Sequence, residues 1–190
     1  MLKGARCLSS KCAVARRAYV PGAHGPTSRT RTTDYGKQLR EKQKAKRLYG
    51  ISETQFANYY KKAVKTKGDS GLGLVRMLEM RLDNVLYRAG FSKSRAAARQ
   101  AASHSHISIN GRKVNIPSYQ VKPGDILTIQ TRKQNAAPWK ALGEELKNRE
   151  FPSWLTVDSG ESTIKVTSTP SGDELKQPFD PKLIIEYYSR

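Results

Sequence analysis

The segment Phe91–Val114, FSKSRAAARQAASHSHISINGRKV, predicts an arginine-bearing helix followed at once by a β-hairpin. Asn110-Gly111, between two alternating apolar runs, is the strongest short-range signal for a type I′ turn. A two-residue turn at this point pairs Ile107 with Val114 on the buried face of the hairpin. The alanine run gives the preceding helix little side-chain bulk, so we expect this helix to lie close against its neighbour.

Apolar residues before this segment predict a second helix. They recur at helical spacing from Val75 to Ala89 and indicate one amphipathic helix that ends at Gly90, where a left-handed cap suits glycine. Ser92 is then expected to cap the next helix. The two helices would therefore meet at a tight corner.

The helix after the corner predicts one strongly polar face. Ser92, Arg95 and Arg99 lie at i, i+3 and i+7, which are neighbouring positions on one side of a helix, and Lys93 and Gln100 flank them. We therefore expect the arginine side chains to project together.

The chain before the corner predicts two more helices. The first covers residues 34–50 and is polar on nearly all sides, which indicates that it bridges to a charged partner or lies on one. The second opens at Ser52 with a capping box. In this second helix Phe56, Tyr60 and Val64 recur at four-residue spacing, so we expect them to face a core.

The chain after the hairpin predicts further strands. Pro123-Gly124 marks a turn before another alternating strand. A short exposed helix is expected over 139–150, and two strands around a turn are expected over 153–170. The apolar closing segment 182–190 must dock on the rest of the chain.

Together these elements predict an α+β fold. A basic, irregular N-terminal extension covers residues 1–33, and a small helical domain covers 34–79 and is completed by the segment 180–190. An α/β domain over 80–179 would place the two helices of the tight corner on a small and mainly antiparallel sheet.

The charge of the chain indicates a polyanionic partner. Of 190 residues, 35 are Lys or Arg and 16 are Asp or Glu, which gives a net charge of +19. The excess lies at the N-terminal end, since residues 1–50 hold 13 basic and 2 acidic residues whereas 151–190 hold 4 and 6. This gradient points to a nucleic-acid-binding surface, with an anionic membrane surface as the alternative. No apolar run approaches the ~20 residues of a membrane-spanning helix.

The N-terminal sequence bears on the compartment. MLKGARCLSSKCAVARRAYV contains Arg, Ser and Ala and no acid, as transit peptides do, but Pro21-Gly22 and Gly25-Pro26 follow at once and would interrupt an amphipathic helix. Nothing resembles a secretory signal. We therefore expect a reducing compartment, in which Cys7 and Cys12 are free thiols.

Three stretches resemble the bacterial family of ribosomal small-subunit protein four in order and spacing. They are DYGKQLREKQKAKRLYGISETQFANYYKKA (34–63), MRLDNVLYRAGFSKSRAAARQAASHSHISINGRKVNIPSYQVKPGD (80–125) and LIIEYYSR (183–190). The helix, corner, helix and hairpin, at about residues 81–135, are similar to the RNA-binding module first described in that family. Several RNA-modifying enzymes share this module.

This resemblance implies a structural constituent of the small ribosomal subunit without catalytic activity. Members are primary rRNA-binding proteins that nucleate subunit assembly and, with neighbouring small-subunit proteins, influence translational accuracy. The implied partners are small-subunit rRNA, neighbouring ribosomal proteins and mRNA where it enters the ribosome, with no membrane and no small-molecule substrate. Some members also repress their own mRNA. The expected location is the ribosome of the cytoplasm or of an organelle.

The residues expected to contact RNA form two groups. The N-terminal group comprises Arg16, Arg17, Tyr19, His24, Arg29, Arg31, Tyr35, Arg40, Lys44 and Arg47. The module group comprises Arg81, Ser92, Lys93, Ser94, Arg95, Arg99, Gln100, His104, Asn110, Gly111, Arg112 and Lys113. His106, like His104, is expected to stack on RNA or to contact phosphate.

The cysteines depart from part of the family pattern. Some members carry two cysteine pairs in the extension that bind zinc or an iron-sulfur cluster, whereas this chain shows one pair, Cys7 and Cys12, with His24 as a remote third ligand. A structural zinc site takes four ligands. We therefore expect no metal and no other cofactor; either the site has been lost or the start of the chain is missing.

Two alternatives use the same module. Arg81-Leu82-Asp83 resembles the catalytic motif of a pseudouridine synthase, in which an aspartate attacks the base, but Asn84 follows inside an amphipathic helix. Asp83 is instead expected to orient Arg81, or another nearby base, through an ion pair. A stress-type protein that rescues stalled ribosomes would need only the module, which leaves the basic first 80 residues unexplained.

Overall fold

The structure, a computed structural model, describes residues 2–27, 31–134, 136, 139, 142, 146, 149–158 and 160–190. Its helices are α1 (Ala13–Arg16), α2 (Asp34–Tyr49), α3 (Glu53–Lys65), α4 (Ser70–Glu79), α5 (Leu82–Arg88), α6 (Arg95–Ser103) and α7 (Pro181–Ser189). Its strands are β1 (Ile107–Ile109), β2 (Arg112–Val114), β3 (Ile126–Ile129), β4 (Leu155–Asp158) and β5 (Thr163–Val166). Short 3-10 turns cover Gly4–Leu8, Thr131–Lys133 and Gly172–Leu175.

The five strands form one antiparallel sheet in the order β2-β1-β3-β5-β4. Ile107 pairs with Val114, as the sequence predicted. Asn110 and Gly111 have φ values of +49° and +79°, so both central residues of the turn adopt the left-handed conformation of type I′. The predicted α+β fold and its hairpin are confirmed.

The apolar stretch before the corner contains two helices, so the prediction of one continuous helix is wrong. α4 ends at Glu79, and Arg81 is extended and bridges Gln120. The backbone N–H of Leu82 donates to the carbonyl of Tyr119 at 2.9 Å. Helical periodicity runs through the break because the residues on both sides of it are buried.

The start of α6 is also corrected. Ser94, and not Ser92, is the N-cap, because the Ser94 hydroxyl accepts a hydrogen bond from the backbone N–H of Ala97 at 3.2 Å. Ser92 is buried in the corner. Gly90 has a φ of +79°, as the predicted left-handed cap requires.

Buried side chains form two clusters. The first joins α5 and α6 to the sheet, with Leu82, Leu86, Ile107 and Leu127 among its members. The second joins α2, α3 and α4 to the closing helix α7, which confirms that the C-terminal segment docks. The boundary between the two clusters lies at the break between α4 and α5.

Two predictions about buried faces need correction. Val64 is 49% exposed, and the buried stripe of α3 consists of Phe56, Tyr59 and Ala63 at i, i+3 and i+7. Helix α2 was expected only to bridge to a charged partner or to lie on one, but it packs within the protein through a buried stripe of Gln38, Lys42, Ala45 and Tyr49, two of which are polar. Lys42 is buried with its ammonium 4.6 Å from the centre of the Tyr187 ring.

The two predicted strands of 153–170 are confirmed as β4 and β5. The helix predicted over 139–150 falls mostly outside the described residues. Among the helices that are described, none is long and apolar enough to cross a bilayer.

Candidate nucleic-acid interface

The exposed side of α2 carries three cations in one row. Arg40, Lys44 and Arg47 lie at i, i+4 and i+7, opposite the buried stripe, and all three are exposed. Lys44 also forms an ion pair with Glu41 at 3.4 Å, which is a weak interaction at a protein surface. The three cations are therefore open to an anionic partner.

Two neighbouring cavities connect this row with α6. A groove of about 740 Å³ is lined by Arg40, Lys44, Arg47 and aliphatic residues that include Leu2 and Leu48. A second cavity, of about 360 Å³, shares Leu2, Arg47 and Leu48 with the first and is also lined by Arg95 and Arg99. Part of each predicted group thus lines these adjoining cavities: Arg40, Lys44 and Arg47 from the N-terminal group, and Arg95 and Arg99 from the module group.

The N-terminal extension also contacts the corner between α5 and α6. A Cβ atom placed on Gly4 would lie 2.7 Å from the carbonyl oxygen of Lys93, so only glycine permits this approach. The extension therefore packs closely against the module at Gly4.

Arg95 is held by neighbours on the protein. Its Nε donates to Oδ1 of Asn84 at 2.7 Å, and its guanidinium lies 4.5 Å from the ring centre of Tyr87 and 4.9 Å from that of Tyr49. Cation–π contacts of this kind favour a fixed side-chain position. The sequence had suggested that Arg95 projects from α6, but these contacts hold its side chain against the protein.

Arg99 is held even more completely. Its Nε and Nη2 donate to Oδ2 of Asp83 at 3.1 and 2.7 Å. Its Nη2 also donates to the carbonyl of Tyr49 at 3.0 Å, and its Nη1 donates to the carbonyl of Gly50. The two arginines do lie together along the shared cavity, as expected, but each is held by hydrogen bonds to the protein.

Arg81 is buried. Its Nε and Nη2 donate to Asp83 at 3.0 and 2.7 Å, and its Nη1 donates to the hydroxyl of Tyr59 at 2.9 Å. Burial alone would lower the pKa of Arg81, but the carboxylate of Asp83 outweighs it and the pKa is raised. The predicted pairing of Asp83 with Arg81 is confirmed. Because Arg81 is 1% exposed, we remove it from the RNA-contacting group.

Glu79 is a buried carboxylate that binds several side chains, and it was not predicted from the sequence. It is 1% exposed and accepts hydrogen bonds from Tyr49, Asn84, Arg88 and Gln177 at 2.5–3.1 Å. Burial alone would raise the pKa of Glu79, but Arg88 and the other donors outweigh it and the pKa lies below its usual value. An acid inside the apolar run VRMLEMRL was the available signal, since a carboxylate there requires partners.

Most of the other residues predicted to contact RNA are exposed. Arg16, Arg17, Tyr19, His24, Arg31, Tyr35, Lys93, Gln100, His104, Asn110, Gly111, Arg112 and Lys113 are exposed. Ser94 is the α6 cap, and Arg29 lies outside the described residues. Asn110 joins the hairpin turn to the start of β3 by accepting from the N–H of Ile126 and donating to Asp125, both at 2.9 Å.

His106 has an internal partner. Its Nδ1 accepts a hydrogen bond from Nε1 of Trp139 at 2.8 Å. Burial, and then the charge of Lys133, lower the pKa of His106. The imidazole is therefore neutral near pH 7, which does not favour the phosphate contact expected for it.

Cys7 and Cys12 are not joined in a disulfide. Cys7 and Cys12 are both half-buried thiols, and Cys7 Sγ accepts from the backbone N–H of Lys3 at 3.3 Å. Hydrogen bonds from the backbone N–H groups of Ala15 and Val14 lower the pKa of Cys12. Within the described ranges, no three His, Cys, Asp or Glu side chains are grouped as metal ligands, and a structural zinc takes four.

Comparison with known proteins identifies the family. The N-terminal domain of ribosomal protein S4/S9 matches residues 1–79, and the S4 domain matches residues 80–127. The chain is 47% identical to small ribosomal subunit protein uS4 of Natranaerobius thermophilus over 189 residues, which cover all of this chain and 90% of the relative. It is 48% identical to uS4A of Alkaliphilus metalliredigens and 47% identical to uS4 of Thermodesulfovibrio yellowstonii, with the same coverage. The chain belongs to the S4 family of small-subunit ribosomal proteins.

Proposed function

We infer that this protein is a structural component of the small ribosomal subunit that binds its rRNA and has no catalytic role. The observation that carries this proposal is the exposed row Arg40, Lys44 and Arg47, which shares a surface with α6 of the module. Relatives with the name small ribosomal subunit protein uS4 match the chain over its full length, which supports the same assignment.

The physical role of the surface is to neutralise phosphates. Lys and Arg side chains displace the counterions of RNA, and this stabilises RNA helices that crowd together at a junction. Double-stranded RNA presents its shape, phosphates and 2′-hydroxyls rather than readable major-groove edges, so a rigid surface suits it. Arginine can also bind phosphate through two parallel hydrogen bonds.

The finer roles follow from this binding. A protein that holds a junction of RNA helices early would nucleate assembly of the subunit. Its surface would also contact neighbouring small-subunit proteins, through which it influences translational accuracy, and mRNA where it enters the ribosome. The ribosome is the proposed location, and no metal or other cofactor takes part in the proposed role.

The geometry of Asp83 argues against the pseudouridine synthase alternative. The carboxylate that would attack a base is 3% exposed and accepts hydrogen bonds from both Arg81 and Arg99. A nucleophile must reach its substrate, and this carboxylate is enclosed by its own partners. The N-terminal match over residues 1–79 also favours the ribosomal assignment over a rescue protein that needs only the module.

Selective RNA binding tests the proposal. The purified protein is titrated into a small-subunit rRNA transcript and into an unrelated transcript of equal length, both at the same moderate salt concentration. We expect clearly tighter binding to the small-subunit transcript. Equal affinity for both RNAs would contradict specific rRNA recognition and would indicate non-specific electrostatic binding.

A further inference from the structure

Arg99 joins two parts of the chain that carry separate halves of the proposed RNA surface. Gly50 ends α2 in the left-handed conformation, with φ +63°, which turns the chain and leaves carbonyl groups at the end of the helix. Arg99 donates from Nη2 to the carbonyl of Tyr49 at 3.0 Å and from Nη1 to the carbonyl of Gly50. A cation at this end of a helix is also favoured by the helix dipole.

The same guanidinium is fixed from the other side by Asp83. Nε and Nη2 of Arg99 lie 3.1 and 2.7 Å from Oδ2 of Asp83, in the first turn of α5. Asp83 is 3% exposed and is itself held by two hydrogen bonds from the buried Arg81. Arg99 therefore connects α2 to a carboxylate that has no freedom to move.

Every nitrogen of the Arg99 guanidinium has a partner on the protein. Nε bonds Asp83, Nη1 bonds Gly50, and Nη2 bonds both Asp83 and Tyr49. A phosphate contact through Nε or Nη2 would require breaking bonds to a buried carboxylate, which leaves only the second N–H of Nη1 for such a contact. Arg47, by contrast, is exposed on the row of α2.

We propose that Arg99 is a positioning residue for RNA binding. By tying the C-terminus of α2 to Asp83, it acts with the Tyr49–Glu79 hydrogen bond and the Arg95–Tyr49 contact to hold the cations of α2 at a fixed position relative to the module, and it does not itself bind phosphate. An RNA that contacts both parts then meets a surface that is already arranged, so less conformational freedom is lost on binding. This inference rests on the proposed rRNA binding, and it replaces the phosphate-contacting role that sequence reasoning assigned to Arg99.

Arg99→Gln tests the proposal, with Arg47→Gln as the matched control. Arg99→Gln keeps the Arg81–Asp83 pair, so it disturbs the fold less than a change at Asp83. We expect it to weaken binding to small-subunit rRNA about tenfold at every salt concentration, with the slope of log K against log salt unchanged. Arg47→Gln should instead reduce the magnitude of that slope by about 1, as the loss of one phosphate contact does. A slope change of about 1 in Arg99→Gln, or unchanged affinity, would overturn the proposal.

Arg99→Lys keeps the charge and serves if the glutamine variant does not fold. A single ammonium cannot bridge two carbonyls and a carboxylate as the planar guanidinium does. We expect a smaller loss of affinity than for glutamine, again with an unchanged slope. Wild-type affinity in a folded Arg99→Lys variant would show that charge alone suffices and would contradict the positioning role.

A distance measurement without RNA separates this inference from the proposed function. Spin labels are placed at Lys37→Cys and Lys122→Cys in a chain whose Cys7 and Cys12 are replaced by serine. The parent chain should give a narrow distance distribution, and Arg99→Gln should give a broad one that narrows when rRNA is added. An equally narrow distribution in the free Arg99→Gln variant would refute the positioning role, whereas failure of the parent to bind rRNA would refute only the proposed function.

Discussion

Arg88 and Glu79 form a bidentate ion pair across the break between α4 and α5. Nε of Arg88 lies 2.8 Å from Oε2 of Glu79, and Nη2 lies 3.0 Å from Oε1. The pair joins the last residue of α4 to the last residue of α5 and therefore closes the bend that the sequence failed to predict. The hydroxyl of Tyr49, at the end of α2, bonds the same carboxylate at 2.5 Å, so three helices share one buried charge.

Removing this carboxylate should be strongly destabilising. Glu79→Ala leaves Arg88, Tyr49 and Gln177 without the carboxylate to which they donate, and the loss of one partner of a buried ion pair costs about 3–5 kcal/mol. Glu79→Gln, which keeps one acceptor oxygen, should cost less. Urea unfolding of both variants checks the expectation, and a cost of under ~1 kcal/mol for Glu79→Ala would show that this carboxylate does not contribute to stability.

A double-mutant cycle isolates the Glu79–Arg88 pair. Arg88→Met and Glu79→Gln are measured singly and together, and residues in direct contact should show a coupling energy of about 0.5–3 kcal/mol. Additive effects of the two changes would mean that the ion pair itself is neutral and that the other donors account for the role of Glu79.

Acid should weaken the attachment of the closing helix α7. Glu53 accepts hydrogen bonds from Lys42 at 2.8 Å, from Lys46 at 3.0 Å and from Tyr188 of α7 at 2.6 Å. Burial alone would raise the pKa of Glu53, but the three hydrogen bonds together outweigh it and lower the pKa from 4.5 to about 2. Because the folded pKa lies below the unfolded one, this stabilisation is present above pH 4.5 and is lost as the pH falls towards 2.

The measurement is the melting temperature between pH 6 and pH 2. Glu79, whose pKa is also lowered, contributes to the same loss, so the comparison needs Glu53→Gln. This variant should have a lower melting temperature than the wild type at pH 6, and the difference should shrink as the pH falls. A constant difference between the two proteins at all pH values would contradict the assignment to Glu53.

The two hydroxyls at the corner should behave differently. Ser94→Ala removes the α6 cap and should cost about 1 kcal/mol. Ser92→Ala removes no cap, and we expect a change within about 0.5 kcal/mol. Thermal or urea unfolding of both variants decides between them, and the reverse order would restore Ser92 as the start of the helix.

The hairpin turn should not tolerate a side chain at its second position. Gly111 has a φ of +79°, and a Cβ there opposes the left-handed conformation at a cost of about 1–2 kcal/mol. Gly73, within α4, is a matched control, because a Cβ placed there meets nothing within 4 Å. Gly73→Ala should stabilise the protein by roughly 0.5–1 kcal/mol. Equal effects of the two substitutions on unfolding would contradict the type I′ assignment.

The sequence predicted features whose causes are local. Asn110-Gly111 determines its own turn, and the alternating residues on either side fix the register of Ile107 with Val114. The end of α2 at Gly50 was predictable for the same reason, since a left-handed glycine stops a helix within one turn.

Features that depend on distant partners were not predictable. Helical spacing placed Arg95 and Arg99 on one face, but it carries no information that Asp83 and the end of α2 lie within reach of that face. The break at Arg81 was not predicted because buried apolar residues continue at helical spacing through both neighbouring helices. Tertiary contacts decide where long side chains lie, so the fold was needed to separate the predicted cations that are exposed from those, such as Arg81, that are buried.

The most direct test of the account is the salt dependence of rRNA binding after the charges of the α2 row are removed. Arg40→Gln, Lys44→Gln and Arg47→Gln are combined, with Lys165→Gln on β5 as an exposed single-charge control outside the predicted surface. We expect the triple variant to bind small-subunit rRNA more weakly, with a log-log salt slope whose magnitude is lower by about 3. The control should keep the wild-type slope. An unchanged slope in a folded triple variant would contradict the claim that this row binds RNA phosphates.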